Sequence, residues 1–92
     1  MLAVKQKGIR NIVVEEVHDP VPQKGEVLLN VYASGICGSD VQRYYGSEGS
    51  DEILGHEFGG TIIALGEGVD ENEFPKGSKV AVDPSWACGE CY

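Results

Sequence analysis

Positive charge is scarce in this chain. Its 92 residues carry 7 Lys and Arg against 15 Asp and Glu, a formal net charge of −8. Nucleic acids and anionic membranes select basic patches, so no nucleic acid and no membrane is expected as a partner. Long apolar runs are missing too: nothing approaches the roughly 18–20 residues of a membrane span. Met1-Leu2-Ala3-Val4-Lys5 turns charged at once, without the apolar stretch of a secretory leader. Cysteine is sparse, and its count of 3 is odd. The cysteines therefore read as reduced, and as ligands rather than disulfides. Together these features suit a cytoplasmic enzyme acting on small neutral molecules. The sequence contains no internal repeat and no low-complexity tract. Its length admits one domain, with a modest core that buries roughly 60–65% of the unfolded surface.

Glycine is abundant. Thirteen Gly and four Pro favour a turn-rich, mostly β architecture over a helical bundle. Strands are expected over 1–7 and 9–17, with a turn at Gly8. Pro20 and Pro22 lack an N–H donor and end the second strand's reach. The clearest strand covers 27–33, where Val27, Leu29, Val31 and Ala33 alternate with Leu28, Asn30 and Tyr32 and predict a buried face. Ser39-x-x-Gln42 reads as a capping box opening a short helix over 40–45, stopped by Gly46. A polar loop follows over 47–52. A strand over 58–65 begins at Gly59-Gly60, where a bulge or close backbone approach is expected. An acidic loop covers 66–76, and a last strand covers 79–82.

The chemistry concentrates in two Gly-flanked blocks, Gly35-Ile36-Cys37-Gly38-Ser39-Asp40 and Gly55-His56-Glu57. A thiolate, an imidazole and a carboxylate are the donor set of a catalytic zinc that leaves one position open. A lone Cys or His is more often a packed residue than a ligand. The pair differs, because each follows a Gly at the edge of an apolar strand. Asp40 is a candidate partner for the imidazole nitrogen that faces away from a metal. Ser39 has two competing uses, as helix cap or as a hydroxyl passing a substrate proton outward. Glu57 is either a solvated carboxylate, an oxygen ligand or a charge that tunes the metal.

Cys88-x-x-Cys91 lacks the strand and helix that flank a thioredoxin-type pair, and reads better as half of a structural zinc knuckle. Gly66-Glu67-Gly68 is rejected as a dinucleotide loop: Glu71 stands where the third Gly belongs, and acidic residues follow where pyrophosphate would sit. His18, before Asp19-Pro20, reads as an exposed loop residue.

Taken in order, Gly35-Ile36-Cys37-Gly38-Ser39-Asp40-Val41, Leu54-Gly55-His56-Glu57-x-x-Gly60, Lys76-Gly77-x-Lys79-Val80 and Cys88-x-x-Cys91 resemble the zinc-dependent medium-chain alcohol dehydrogenase family. The resemblance covers essentially the whole chain and is nearest the polyol branch, with threonine-dehydrogenase-like members as neighbours. It implies a GroES-like, partly open β-barrel with a short helix, incomplete at its C-terminal end. Residues 1–92 would be the N-terminal portion of that domain, in a truncated chain without the Rossmann domain. The implied activity is oxidation of a secondary alcohol or polyol to a ketone, with Zn2+ and with NAD or NADP bound mainly by the missing domain. Cys37, His56 and, as in polyol-type members, Glu57 would bind catalytic zinc. Ser39 would relay a proton, and Asp40 would brace His56. Cys88 and Cys91 match the first two of four structural-zinc cysteines, and Tyr44 or Tyr45 would line the substrate pocket. Family members form homo-oligomers. A zinc-binding module without enzyme activity is the alternative; a co-chaperonin-like interaction domain leaves the ligand motifs unexplained. Ser78 stands where the family usually has Asp, which alters a turn rather than the chemistry. The loop before Leu54 lacks the common Pro.

Overall fold

The computed structural model describes residues 1–46, 49 and 51–91. Five strands and one helix follow in chain order: β1 (Leu2–Gly8), β2 (Asn11–Glu16), β3 (Val27–Ser34), α1 (Gly38–Gly46), β4 (Phe58–Leu65) and β5 (Lys79–Ala81). They form two antiparallel sheets, a β1–β2 hairpin and a three-stranded sheet in the order β3-β4-β5. The architecture is mostly β with one short helix, as expected, and its described strands do not close into a barrel. Of the loop read over 47–52, residues 47, 48 and 50 lie outside the described residues.

The hairpin turns at Ile9-Arg10, with Gly8 paired to Asn11. Arg10 adopts φ 57°, a left-handed conformation that costs a residue with a Cβ about 1–2 kcal/mol. Two contacts with the end of α1 offset that cost. Arg10 N–H donates to Tyr44 O at 2.8 Å, and its guanidinium carbon lies 5.2 Å from the Tyr45 ring centroid. Gln6, fully buried, adds a second tie: its Nε2 donates to Gly8 O and to Arg43 O, both at 3.0 Å.

β4 is the central strand of the larger sheet, and its glycines permit the close packing expected of them. A Cβ on Gly60 would stand 2.5 Å from Asn30 O, and one on Gly59 would stand 3.1 Å from Val80 O. The bulge falls opposite them, on β3: Val31 pairs with Gly60 and Ala33 with Gly59, so Tyr32 is the extra residue. Ser78, in place of the usual Asp, closes the turn before β5 by donating from Oγ to Pro75 O at 2.7 Å.

One expectation fails. The alternation in β3 does not bury a face: Val31 is 48% exposed and Ala33 is exposed as well. No described element covers that end of the strand, and the bulge at Tyr32 breaks its alternation. Among the described residues the fully buried apolar side chains are Ala3 and Ile62. The accessible surface of 7091 Å² exceeds by about a third the roughly 5,200 Å² of a compact monomer of this mass. The radius of gyration, 15.2 Å, likewise exceeds the roughly 12 Å of a compact chain this long.

Candidate metal centre

The β3–β4 ladder brings the two Gly-flanked blocks together. It ends at the Ser34–Phe58 pair, so the chain leaving β3 and the chain entering β4 emerge at the same end. Gly35 N–H extends the ladder by donating to Glu57 O at 2.6 Å. A Cβ on Gly35 would make only ordinary contact with Glu57, 3.4 Å from its Oε2, so the site does not require glycine at this position. Gly55 takes φ 106°, which glycine alone adopts readily, and turns the chain into His56.

Cys37, at the start of α1, His56 and Glu57 each present one ligand atom, and these atoms lie within 4.8 Å of one another. Cys37 and His56 are half-buried, and Glu57 is exposed. The Cys37 thiol is held below its ordinary range, first by the Ser39 hydroxyl, then by Ser39 N–H and by His56; burial and the Glu57 charge oppose this. His56 is raised, first by its bond to Cys37, with burial opposing and the charges of Asp40, Cys37 and Glu57 adding. Thiolate and imidazolium therefore stabilise each other's charged forms, and a metal bound there would replace the imidazole proton.

The donor set fits zinc. Sulfur, nitrogen and oxygen ligands at tetrahedral zinc sit about 3.5 Å from one another, so side-chain adjustments of about 1 Å close the observed spread. Among the described residues this is the one cluster of three or more such donors.

Asp40 holds both halves of the site. Its Oδ2 accepts from Cys37 N–H at 2.8 Å, and its Oδ1 lies 3.7 Å from His56 Nδ1. The first contact corrects the capping-box reading. α1 begins at Gly38, the Cys37 carbonyl accepts from Asp40 N–H at 3.0 Å, and the carboxylate reaching back is Asp40 in the first turn. Ser39 therefore stands inside the helix rather than at its cap. Its hydroxyl bonds to the Cys37 sulfur and so is not the helix cap.

Cys88 and Cys91 approach each other, Sγ to Sγ 3.1 Å, but are exposed and gather no third donor among the described residues. Cys88 is lowered to about 7, chiefly by its bond to Cys91. Tyr44 and Tyr45 pack edge to face, centroids 5.0 Å apart, and both line a cavity of about 550 Å³ with Val4, Ile12, Ile36 and Leu54. That cavity reaches Asp40 rather than the three candidate ligands. His18 is exposed, as expected. Gly66 serves packing, not phosphate: a Cβ there would stand 1.9 Å from Gln23 O. Sequence reasoning gave no role to Lys5, Lys7 and Asp51, which form ion pairs across from β1 to the segment before His56. Their only signal is the alternation that puts both lysines on one face of β1.

The chain is thus an open antiparallel β-structure with a Cys-His-carboxylate cluster at the mouth of its central ladder. The alcohol dehydrogenase GroES-like domain matches residues 23–92, and the chain belongs to that family. It is 43% identical over 84 residues to the starvation-sensing protein RspB of Escherichia coli (strain K12), covering 88% of this chain and 24% of that protein. It is 39% identical over 97 residues to the sorbitol dehydrogenase of Bacillus subtilis (strain 168), covering 99% of this chain and 27% of that protein. The crystal structure of the short chain alcohol dehydrogenase (rspB) from E. coli CFT073, complexed with cofactor NADH, superposes with a TM-score of 0.88. The two are 40% identical, and the match covers 100% of this chain and 27% of that one. The chain thus spans about a quarter of the length of the relatives it matches. None of its described helices is long and apolar enough to cross a membrane.

Proposed function

We propose that these residues form the metal-holding part of an oxidoreductase that takes a secondary alcohol or polyol to a ketone, with NAD or NADP as hydride acceptor. The observation that carries this reading is the convergence of Cys37, His56 and Glu57 within 4.8 Å in a chain of this family. In it, the three side chains hold zinc, which when bound supplies a Lewis acid to a substrate oxygen. Asp40 orients His56 by keeping Nδ1 turned to its carboxylate, leaving Nε2 for the metal. Ser39, beside the Cys37 sulfur, is placed to take the hydroxyl proton of the substrate and pass it outward. Cys88 and Cys91 form half of a second, structural zinc site. Their 3.1 Å separation is within about 0.7 Å of the edge of a tetrahedral thiolate site. The 92 residues are the N-terminal portion of the GroES-like domain, and the nicotinamide is held outside them. The substrate is a small neutral alcohol, the setting cytoplasmic and the working form a homo-oligomer.

Metal analysis tests the site. The wild-type chain is expected to retain zinc after dialysis, and Cys37→Ser to lose the metal held there; equal zinc in both removes Cys37 from it. An NAD-reduction assay with sorbitol, butanediol and threonine tests the division of labour. The chain alone is expected to be inert, and clear turnover overturns the placement of the nicotinamide site outside it. A metal-binding module without enzyme activity is the second reading, favoured by the fact that all three donors come from this chain. Turnover by the chain covalently continued with a nucleotide-binding domain decides against it.

A further inference from the structure

The segment that leads into Gly55-His56-Glu57 is laid along the free edge of β1. Gly49 passes so close that an added Cβ would stand 2.5 Å from Gln6 O. Ile53 forms an isolated antiparallel bridge with Lys5, and Leu54 N–H donates to Val4 O at 2.8 Å. His56 follows two residues later. The strand edge is thus a template for the path by which His56 reaches Cys37.

Side chains lock the segment to that template. Asp51 accepts from Lys7 Nζ and, at 3.5 Å, from Lys5 Nζ. Glu15, across the hairpin, lies 3.0 Å from Lys7 and 3.7 Å from Lys5. Lys5, 15% exposed, is within reach of both carboxylates. Asp51 is held at φ 61°, a left-handed conformation that Asp tolerates better than most residues but still at a cost. From the other side, Arg43 of α1 pairs with Glu52 at 2.9 Å.

We infer that Asp51, held by Lys7 and Lys5, is a positioning residue for the metal centre. It acts through the backbone of Ile53 and Leu54, fixing the approach that sets His56 against Cys37. The inference rests on the reading of Cys37, His56 and Glu57 as a zinc site. Because the lock is an exposed ionic cluster, its contribution is modest and screened by salt.

The test is zinc affinity, measured by competition with a chromophoric chelator at low and high salt, for the wild-type chain, Asp51→Asn, Lys7→Met and the double variant. Each single change is expected to weaken zinc binding about three- to fivefold, the range of an exposed pair, and the double no more than either single. Salt weakens zinc binding in every variant by screening, and it narrows the gap between the wild type and the variants. Lys7→Arg restores binding. Asp19→Asn is the control: it removes another exposed pair, the 2.8 Å contact with the Met1 amine at the far end of the hairpin, and leaves zinc affinity unchanged. Wild-type affinity in both Asp51→Asn and Lys7→Met overturns the inference. Equal weakening in Asp19→Asn also overturns it, since the effect is then general stability. Cys37→Ser separates the two levels. If it loses zinc while Asp51→Asn does not, the positioning role alone fails; if it binds like the wild type, the metal reading fails and takes the inference with it.

Discussion

Asp40 is asked to do two jobs with two oxygens, and substitution separates them. Oδ2 caps α1 through Cys37 N–H at 2.8 Å, and Oδ1 stands 3.7 Å from His56 Nδ1. Asp40→Asn keeps an acceptor for the amide but offers His56 an NH2 group, which cannot accept from an imidazole N–H. Asp40→Ala removes both functions. The capping bond is only 21% exposed at its acceptor residue and charge-assisted, so its loss is expected to cost about 1–2 kcal/mol of stability. Asp40→Asn forfeits only the charge at the helix N-terminus, about 0.5 kcal/mol. Loss of an outer partner of a metal-bound imidazole costs about 10–100-fold in metal affinity. At 3.7 Å the contact is longer than a hydrogen bond, so the expectation is the lower end, about tenfold, in both variants.

The assays are urea unfolding for the cap, exchange of the Cys37 amide as its local reporter, and chelator competition for zinc. The expected pattern is crossed: Asp40→Asn near wild type in stability and in Cys37 amide protection, yet weakened in zinc binding; Asp40→Ala weakened in all three. Unchanged stability and amide protection in Asp40→Ala refute the cap. Wild-type zinc affinity in Asp40→Asn refutes the brace.

Gly66→Ala is expected to destabilise by about 2–3 kcal/mol. Its Cβ would meet Gln23 O at 1.9 Å and disrupt the bonds Gly66 N–H to Glu26 O and Gly25 N–H to Glu67 O. Gly68→Ala meets no atom and costs only the φ of 82°, about 1 kcal/mol; equal urea midpoints for the two would refute the packing role. Alkylation of Cys88 by iodoacetamide is expected to rise through a midpoint at about 7, and to shift upward in Cys91→Ser, because Cys91 is the main cause of the lowering. An unshifted midpoint in that variant assigns the lowering to the backbone N–H groups instead. Asp51 is depressed, chiefly by Lys7. Its stabilisation is therefore complete above its unfolded value of about 3.9 and is lost as pH falls through its lower folded value. The stability gap between the wild type and Asp51→Asn should be constant at neutral pH and close in acid; a gap that widens in acid contradicts the pairing.

The strands were legible because their signals are local. β-branched residues at Ile12, Val13 and Val14, prolines at 20 and 22 and glycines at 59 and 60 bound the segments that the structure shows. The convergence of Cys37, His56 and Glu57 was legible because they sit in two short blocks, and antiparallel pairing of the strands they flank puts both at one end of a ladder. The cap departs from the sequence expectation for a physical reason. Ser39-x-x-Gln42 and Cys37-x-x-Asp40 are the same spacing shifted by two residues, and a carboxylate at the third helical position outcompetes a neutral amide for an exposed helix N-terminus.

Non-local pairing hid the rest. Nothing near Asp51 marks it as the partner of Lys7, because the contact is created by laying 51–54 along β1. Alternation carries a related limit. It states which residues share a face, and β3 keeps that promise up to the bulge at Tyr32; whether the face is buried depends on a second layer. Val31 and Ala33, on either side of that bulge, are both exposed, while Ile62 on β4, between Leu29 of β3 and the 77–78 turn, is 1% exposed. The same open construction leaves Cys37, His56 and Glu57 reachable from solvent. On the proposed reading a catalytic metal held there needs that access, whereas a structural metal is enclosed by its ligands.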